Sequence, residues 1–467
     1  MSTPSDIGTG RLQAAAFAGM FLFGVAAALL GATLPLLSDR LQIGLGRVGT
    51  LFLVLNACML ASSFALGALQ DRHGMKPPLV AGPLVVGAAL LVVAGAESFT
   101  QLLIAVALLG TGGSALNGAS NALVADLHED PAAKSAALNR VGLFFGFGAL
   151  FIPFAIGLLL RTAGLRAILL GATALCVLVA VGNAVPAYPP AKQAGGLSLA
   201  ESARLVRDPL VLLLGFLLFF QSGNEFILGG YMTTLLTSEI GMSVGAASYV
   251  LAGYWAALML TRAWLGRARS SLTGRRLVLA SAAASAVATA LLVTASRPPL
   301  AVAMVVALGA ALAGIFPAVL GVAASHFPAH SGTVFGLLFT MALTGGMTLP
   351  WVTGQAAAAW GLRPALGLVV LQFLAVFALQ WLVTVGRGGL SAGRAEKILD
   401  RSHGDPRAAL RQSNHRQPLA LGRRHRELSP PPDELRYPLP QTHALLACQL
   451  PRQRERIIAP RNDGDYS

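Results

Sequence analysis

The chain has 467 residues, of which 55% are hydrophobic and only 12% charged, against about 25% charged in a soluble domain. That composition excludes a disordered chain, a disulfide-stapled secreted module and an ordinary cytosolic enzyme, and it reads as a membrane protein. The net charge of +14 raises nucleic acid as a partner, but the basic residues sit between long apolar segments, where they set orientation, so no nucleic acid is expected.

A helix crosses the hydrocarbon with roughly 20 apolar residues. Stretches free of Asp, Glu, Lys and Arg fall at 12–38, 48–70, 77–96, 98–125, 141–160 and 167–191, and later at 240–261, 277–296 and 364–386. The first is too long for a signal peptide and is followed by similar segments, so it is expected as a retained helix. Segment 209–238 is interrupted only by Glu225. Segment 298–362 has no formal charge and divides at His326-Phe-Pro-Ala-His-Ser-Gly332 into two spans. The pattern predicts an all-α membrane protein with twelve transmembrane helices in two pseudo-symmetric six-helix bundles. The bundles cover 1–187 and 209–387. A cytoplasmic linker, 188–208, joins them, with Pro189-Pro190, Gly195-Gly196 and the amphipathic Leu197–Arg207. Residues 388–467 carry 14 of the 34 basic residues and nine prolines. They read as a basic, mostly disordered tail with room for a short helix near Ala392–Leu399.

An even number of spans puts both termini on one side. If that side is the cytoplasm, 13 of the 20 basic residues before the tail lie in inner segments and six in outer ones. The positive-inside rule therefore expects cytoplasmic termini, in a bacterial inner membrane. Cys58, Cys176 and Cys448 form neither a disulfide framework nor a metal spacing. His326 and His330 flank Pro328 in a loop, so no metal is expected there. With no phosphate loop, HExxH or nucleophile elbow, the chain reads as no enzyme and as needing no cofactor.

A pattern repeats across the two halves. Gly148-x4-Pro153-x3-Gly157 lies in the fifth span and Gly345-x4-Pro350-x3-Gly354 in the eleventh, 197 residues apart. Gly lets helices approach closely, and Pro bends a helix and leaves a carbonyl free. Matched bends suit two bundles that rock against each other.

Ionisable groups inside a membrane are costly and mark functional sites. Glu225 is the clearest. At helical spacing it shares a face with Gln221 and Asn224, as a coupling or substrate-binding acid or as a hydrogen-bonding group between helices. Asn117 and Asn121 share a face of the fourth span with Ser114, suited to solute hydroxyls or to helix–helix contacts. Trp255 is central enough in the eighth span to line a cavity or to pack inside. Arg262, on the same face, is expected to pair or snorkel near the inner end. Asn56, Asn183, Gln372 and Gln380 also lie in spans, and nothing in the sequence ranks them.

Between the second and third spans stands Gly67-Ala-Leu-Gln-Asp71-Arg72-His-Gly74-Met-Lys76. This resembles the signature loop of the major facilitator superfamily. Gly67 is expected to allow close packing and Gly74 a tight reversal. The resemblance implies that Gly67, Asp71, Arg72, Gly74 and Lys76 form a gating loop that latches the two halves. In the matching loop of the second half, Ser271 stands where Asp71 would. Four further stretches, Asn117–Asp126, Phe144–Gly148, Glu225–Tyr231 and Gly314–Pro317, resemble the fucose permease-like sugar–proton symporter branch. That branch has an acid in the first span; residues 12–38 have none, and its fourth-span acid position falls on Asn117. The resemblance implies a monomer in the lipid bilayer that moves a small polar solute, a sugar or related metabolite, by alternating access with protons as coupling ion. Drug or metabolite efflux is the alternative, and a receptor or channel a distant third.

Overall fold

The computed structural model describes residues 4–128, 130–190, 205–267, 274–327 and 330–403. The helices are α1 (Pro4–Leu41), α2 (Leu45–His73), α3 (Lys76–Gly95), α4 (Phe99–Asp126), α5 (Pro131–Ala184), α6 (Pro209–Ser238), α7 (Val244–Arg267), α8 (Gly274–Thr294), α9 (Pro298–Leu312), α10 (Ile315–His326), α11 (Ser331–Trp360) and α12 (Leu362–His403). Helices α9 and α10 are one span interrupted at Ala313-Gly314. Residues up to Ile398 form one compact unit, and of Leu399–Ser467 only the end of α12 is described. Most of the linker and the tail beyond His403 lie outside the described residues.

Among the described residues, eleven helices are long and apolar enough to cross a membrane. This corrects the expected twelve, and the pairing of six helices with six is not matched. The difference lies in α5, whose 54 residues take in most of both stretches 141–160 and 167–191. Arg161 and Arg166 interrupt hydropathy, and between them two helical stretches join across a kink to make one long apolar element. One residue, Gly164, absorbs the kink at φ 72 and ψ 163, a conformation open to glycine at little cost.

Helix starts follow the local chemistry. Asp130 and Asp208 each precede a proline and accept from the first-turn amides of Ala133 (2.7 Å) and of Leu210 (2.8 Å). An acidic N-cap followed by Pro at the first position leaves no useful amide wasted.

Two arginines close helix ends in matching ways. Arg40 donates to the carbonyls of Val93 at 3.2 Å, Ala94 and Ala96, at the end of α3. Arg363 donates to Val293 at 3.2 Å and Ala295 at 2.9 Å, at the end of α8, and pairs with Glu239 at 3.0 Å. The last carbonyls of a helix have no partner of their own and carry its negative pole, so a cation there stabilises the end.

The Gly-Pro-Gly repeat makes equivalent contacts in both copies. A side chain at Gly148 would strike the Phe21 carbonyl of α1, and one at Gly345 would strike the Phe219 carbonyl of α6. The second glycines face the opposite half: Gly157 lies against the Tyr249 ring of α7, and Gly354 against Gly49 of α2. Thus the motif seats α5 and α11 on their own halves and presents their far ends to the other.

Interior prolines set up a second regularity. Proline has no N–H, so the carbonyl four residues earlier is left free. Four such carbonyls are taken by side chains from other helices. Gly31, before Pro35, accepts from Thr233 Oγ1 of α6. Leu79, before Pro83, accepts from Asn183 Nδ2 of α5 at 2.9 Å. Ala313, before Pro317, accepts from Arg262 Nε of α7 at 3.3 Å. Gly346, before Pro350, accepts from Asn56 Nδ2 of α2 at 3.1 Å. Within a bilayer no water is at hand, so neighbouring helices must supply these donors.

Candidate functional site

A cavity of about 210 Å³ lies between α1–α5 and α6–α12. Both sides line it: Phe23, Phe52, Asn117 and Phe145 from the first, Glu225 and Trp255 among those from the second. Seven of its eighteen lining residues are aromatic, and only Asn117, Ser222, Glu225 and Arg262 are polar or charged. The space is therefore an apolar box with few directed polar groups, the usual composition of an organic-ligand site.

The two sides meet at the end bearing the α1–α2 and α6–α7 turns. Three hydrogen bonds cross between them among the described residues: Thr233 to Gly31, Asn56 to Gly346, and Gln355 Nε2 to the Gly46 carbonyl at 3.0 Å. Gly31 lies on the backbone of Gly229, and Gly230 lies under the Phe52 ring. All these contacts lie at or beyond the level of Asn56. Toward the other end, Phe339, a lining residue, is exposed, as are Phe64 of α2 and Trp264 of α7. The glycine packing thus closes the cavity at one end; the halves also meet beside it where Gly146 lies against Met259, and the exposed aromatics mark the other, more open end.

The expected site residues separate into groups. Glu225, Asn117 and Trp255 line the cavity. The Glu225 carboxylate has no hydrogen bond or ion pair among the described residues; the charge of Arg262 acts on it without direct pairing. Trp255 is held edge-on by Phe145 (6.0 Å between ring centroids) and Tyr254 (5.2 Å), and its Nε1 has no partner among the described residues. Asn121 stands behind Asn117 and donates to its Oδ1 at 2.9 Å. Gln221 and Asn224 do not line the cavity. Both are fully buried, with no partner among the described residues for their amide groups. The three-residue polar face therefore divides, because only Glu225 turns toward the space between the halves.

At the open end, Gly74 ends α2 at φ 78 and donates its N–H to the Gln70 carbonyl at 2.8 Å, the tight reversal expected of it. Asp71, Arg72 and Lys76 are exposed. Gly67 differs from expectation: a side chain there would meet nothing within 4 Å. The counterpart at Ser271 lies outside the described residues. No group of three His, Cys, Asp or Glu able to hold a metal occurs among the described residues, and His326 and His330 stand at the ends of separate helices.

Sequence reasoning missed two participants. Arg262, expected to pair or snorkel, pairs with the Ala313 carbonyl but also lines the cavity, and Asn56 joins the halves. Both could have been found from the prolines, since each donor fills the carbonyl that a proline frees.

This architecture, helices packed around one central cavity shared by two halves, defines a class of polytopic membrane protein. Residues 16–223, somewhat less than half of the chain, match the Major Facilitator Superfamily. An uncharacterized MFS-type transporter of Mycobacterium tuberculosis is 32% identical over 181 residues, 37% of this chain and 42% of that protein. The match thus spans less than half of that relative's length. In fold, the chain is similar to a bacterial homolog of the human lysosomal transporter Spinster in an inward-facing, unoccupied conformation (TM-score 0.67, 15% identity, 82% of this chain and 98% of that one). The nucleoside transporter NupG gives 0.66 at 15% identity over 81% and 99%. The E. coli fucose:proton symporter gives 0.56 at 17% identity over 79% and 98%. These similarities in fold span several transporter branches and do not single out the fucose permease branch.

Proposed function

We propose that the chain is a secondary transporter that carries a small organic solute by alternating access, with the central cavity as its site and Glu225 as its coupling acid. The observation that carries this reading is a cavity built by both halves and closed at one end by contacts that rigid-body rocking would break. With no nucleotide-binding segment read in the sequence, an ion gradient, most simply of protons, or the solute's own gradient supplies the energy. With the basic loops cytoplasmic, the conformation is inward-open, and 1–187 and 209–387 are the rocking units. The exposed Asp71, Arg72 and Lys76 then belong to a latch, with Gly67 and Gly74, that engages when the inner side shuts.

The branch resemblance and the fucose:proton symporter favour a sugar. The lining favours a less polar solute, since a sugar would leave hydroxyls without partners against the aromatic walls. That observation supports efflux of a metabolite or drug-like compound as the second reading. Both are tested in proteoliposomes under an imposed pH gradient. Glu225→Gln is expected to abolish gradient-driven accumulation while solute exchange at equal pH persists. Tyr254 and Arg262, which face Glu225 electrostatically, serve as comparison positions. Accumulation by Glu225→Gln equal to that of the unaltered protein would overturn the coupling role.

A further inference from the structure

We infer that the central cavity selects an organic cation: a compact, largely aromatic or aliphatic body bearing one positive charge that sits against Glu225 and the ring of Trp255. This deepens, and rests on, the reading of the cavity as the transport site. Two charges line the cavity, and they are not equivalent. Arg262 is already engaged. Its Nε donates to Ala313, the carbonyl freed by Pro317, at 3.3 Å. That carbonyl follows the last residue of α9, where the helix presents its negative pole. Glu225 has no such hydrogen-bonded counterpart; the charge of Arg262 acts on it without direct pairing. Among the described residues no donor reaches its carboxylate, and it is only partly covered, facing the cavity.

A carboxylate left without a hydrogen-bonded partner in an apolar box is relieved by a proton or by a cation, because an unpaired buried charge is costly, so the coupling proton and a cationic solute would compete for the same group. The walls suit the rest of such a molecule. Phe52, Phe145, Phe226 and Trp255 surround the space around Glu225. Aromatic faces attract ammonium groups, most strongly when desolvated. Trp255 lies against Gly229, one turn beyond Glu225 on α6, so carboxylate and indole are brought together from α6 and α7. The scarcity of donors and acceptors on the remaining wall disfavours polyhydroxylated solutes.

The test uses the full chain, purified in detergent, and equilibrium calorimetry, so that it does not depend on transport. The probes are benzyltrimethylammonium, its uncharged isostere neopentylbenzene, phenylacetate and L-fucose. The cation is expected to bind more tightly than the other three. Glu225→Gln should weaken cation binding about 30-fold or more, the loss expected for one partner of a desolvated charge pair, and leave the isostere unaffected. Trp255→Leu should weaken it about threefold or more through the lost ring. Arg262→Gln keeps a donor for Ala313 and removes a like charge, so it should tighten cation binding. Equal affinity for cation and isostere, or cation binding that survives Glu225→Gln, overturns the inference. So does phenylacetate binding that Arg262→Gln abolishes. Should Glu225→Gln fail to yield monodisperse protein, the four-probe comparison on the unaltered chain and Trp255→Leu still decide. A chain that accumulates another solute under a pH gradient but ignores the cation refutes this inference alone. A chain that binds the cation but moves no solute refutes the transport reading alone.

Discussion

Removing the Asn56 side chain should loosen the closed end of the molecule. Asn56 is fully buried on α2, and its Nδ2 donates to the Gly346 carbonyl of α11 at 3.1 Å. Pro350 cannot serve that carbonyl, so Asn56→Ala leaves it buried without a partner. Such a group costs about 1–3 kcal/mol, which corresponds to a shift of about 5–150-fold in a conformational equilibrium. The penalty falls on the closed-end conformation, since separation of α2 from α11 opens the carbonyl to water. Spin labels at Gln42→Cys and Ser243→Cys, exposed residues of the two turns at that end, would report the separation by pulsed electron resonance, with native cysteines replaced by serine. Asn56→Ala should move the distance distribution toward longer values. Pro350→Ala restores an N–H four residues after Gly346, so in that background Asn56→Ala should do much less. A distribution unchanged by Asn56→Ala, or an effect equally large with and without Pro350, would refute the reasoning, since coupled positions must fail additivity.

Gly31→Val should also spread the same label pair, because its side chain would meet the backbone of Gly229 on α6 and neither helix can yield by a rotamer change; overpacking of this kind costs about 1–3 kcal/mol. An unchanged distance distribution would rule out the close approach. Arg363→Ala should lower unfolding stability in detergent by about 1.5–3 kcal/mol, the value of hydrogen bonds to a charged group. Arg363→Lys should restore only part of it, since lysine lacks the fork that spans Glu239, Val293 and Ala295. Gly74→Ala should cost about 1–3 kcal/mol in thermal unfolding, because φ 78 with ψ −173 is glycine territory. Gly67→Ala, in open space on a helix, should instead stabilise by about 0.5–1 kcal/mol. Destabilisation by Gly67→Ala comparable to that of Gly74→Ala would show that the α2 end is packed.

The number of spans shows where sequence reasoning stops. Hydropathy located the apolar segments because each must match the bilayer on its own. It misjudged residues 161–166, where two arginines look like a loop and two helical stretches instead join directly across a kink at a single glycine, so that eleven long apolar helices stand where twelve were expected. Charge along a chain is local information, whereas the joining of two helical stretches end to end depends on one φ angle.

The same division runs through the site. Sequence alone picked out Glu225, Asn117 and Trp255, because polar or amphipathic side chains deep in apolar segments are rare and costly enough to be visible by themselves. It also marked the prolines and the Gly-Pro-Gly pairs. Only the tertiary structure decided which partner each proline's free carbonyl found, that Gln221 and Asn224 turn away from the cavity while Glu225 faces it, and that Arg262 is held by Ala313 while Glu225 is held by nothing described. Those choices rest on how helices distant in sequence are placed against one another, and a carboxylate's partner is settled there, not by its neighbours along the chain.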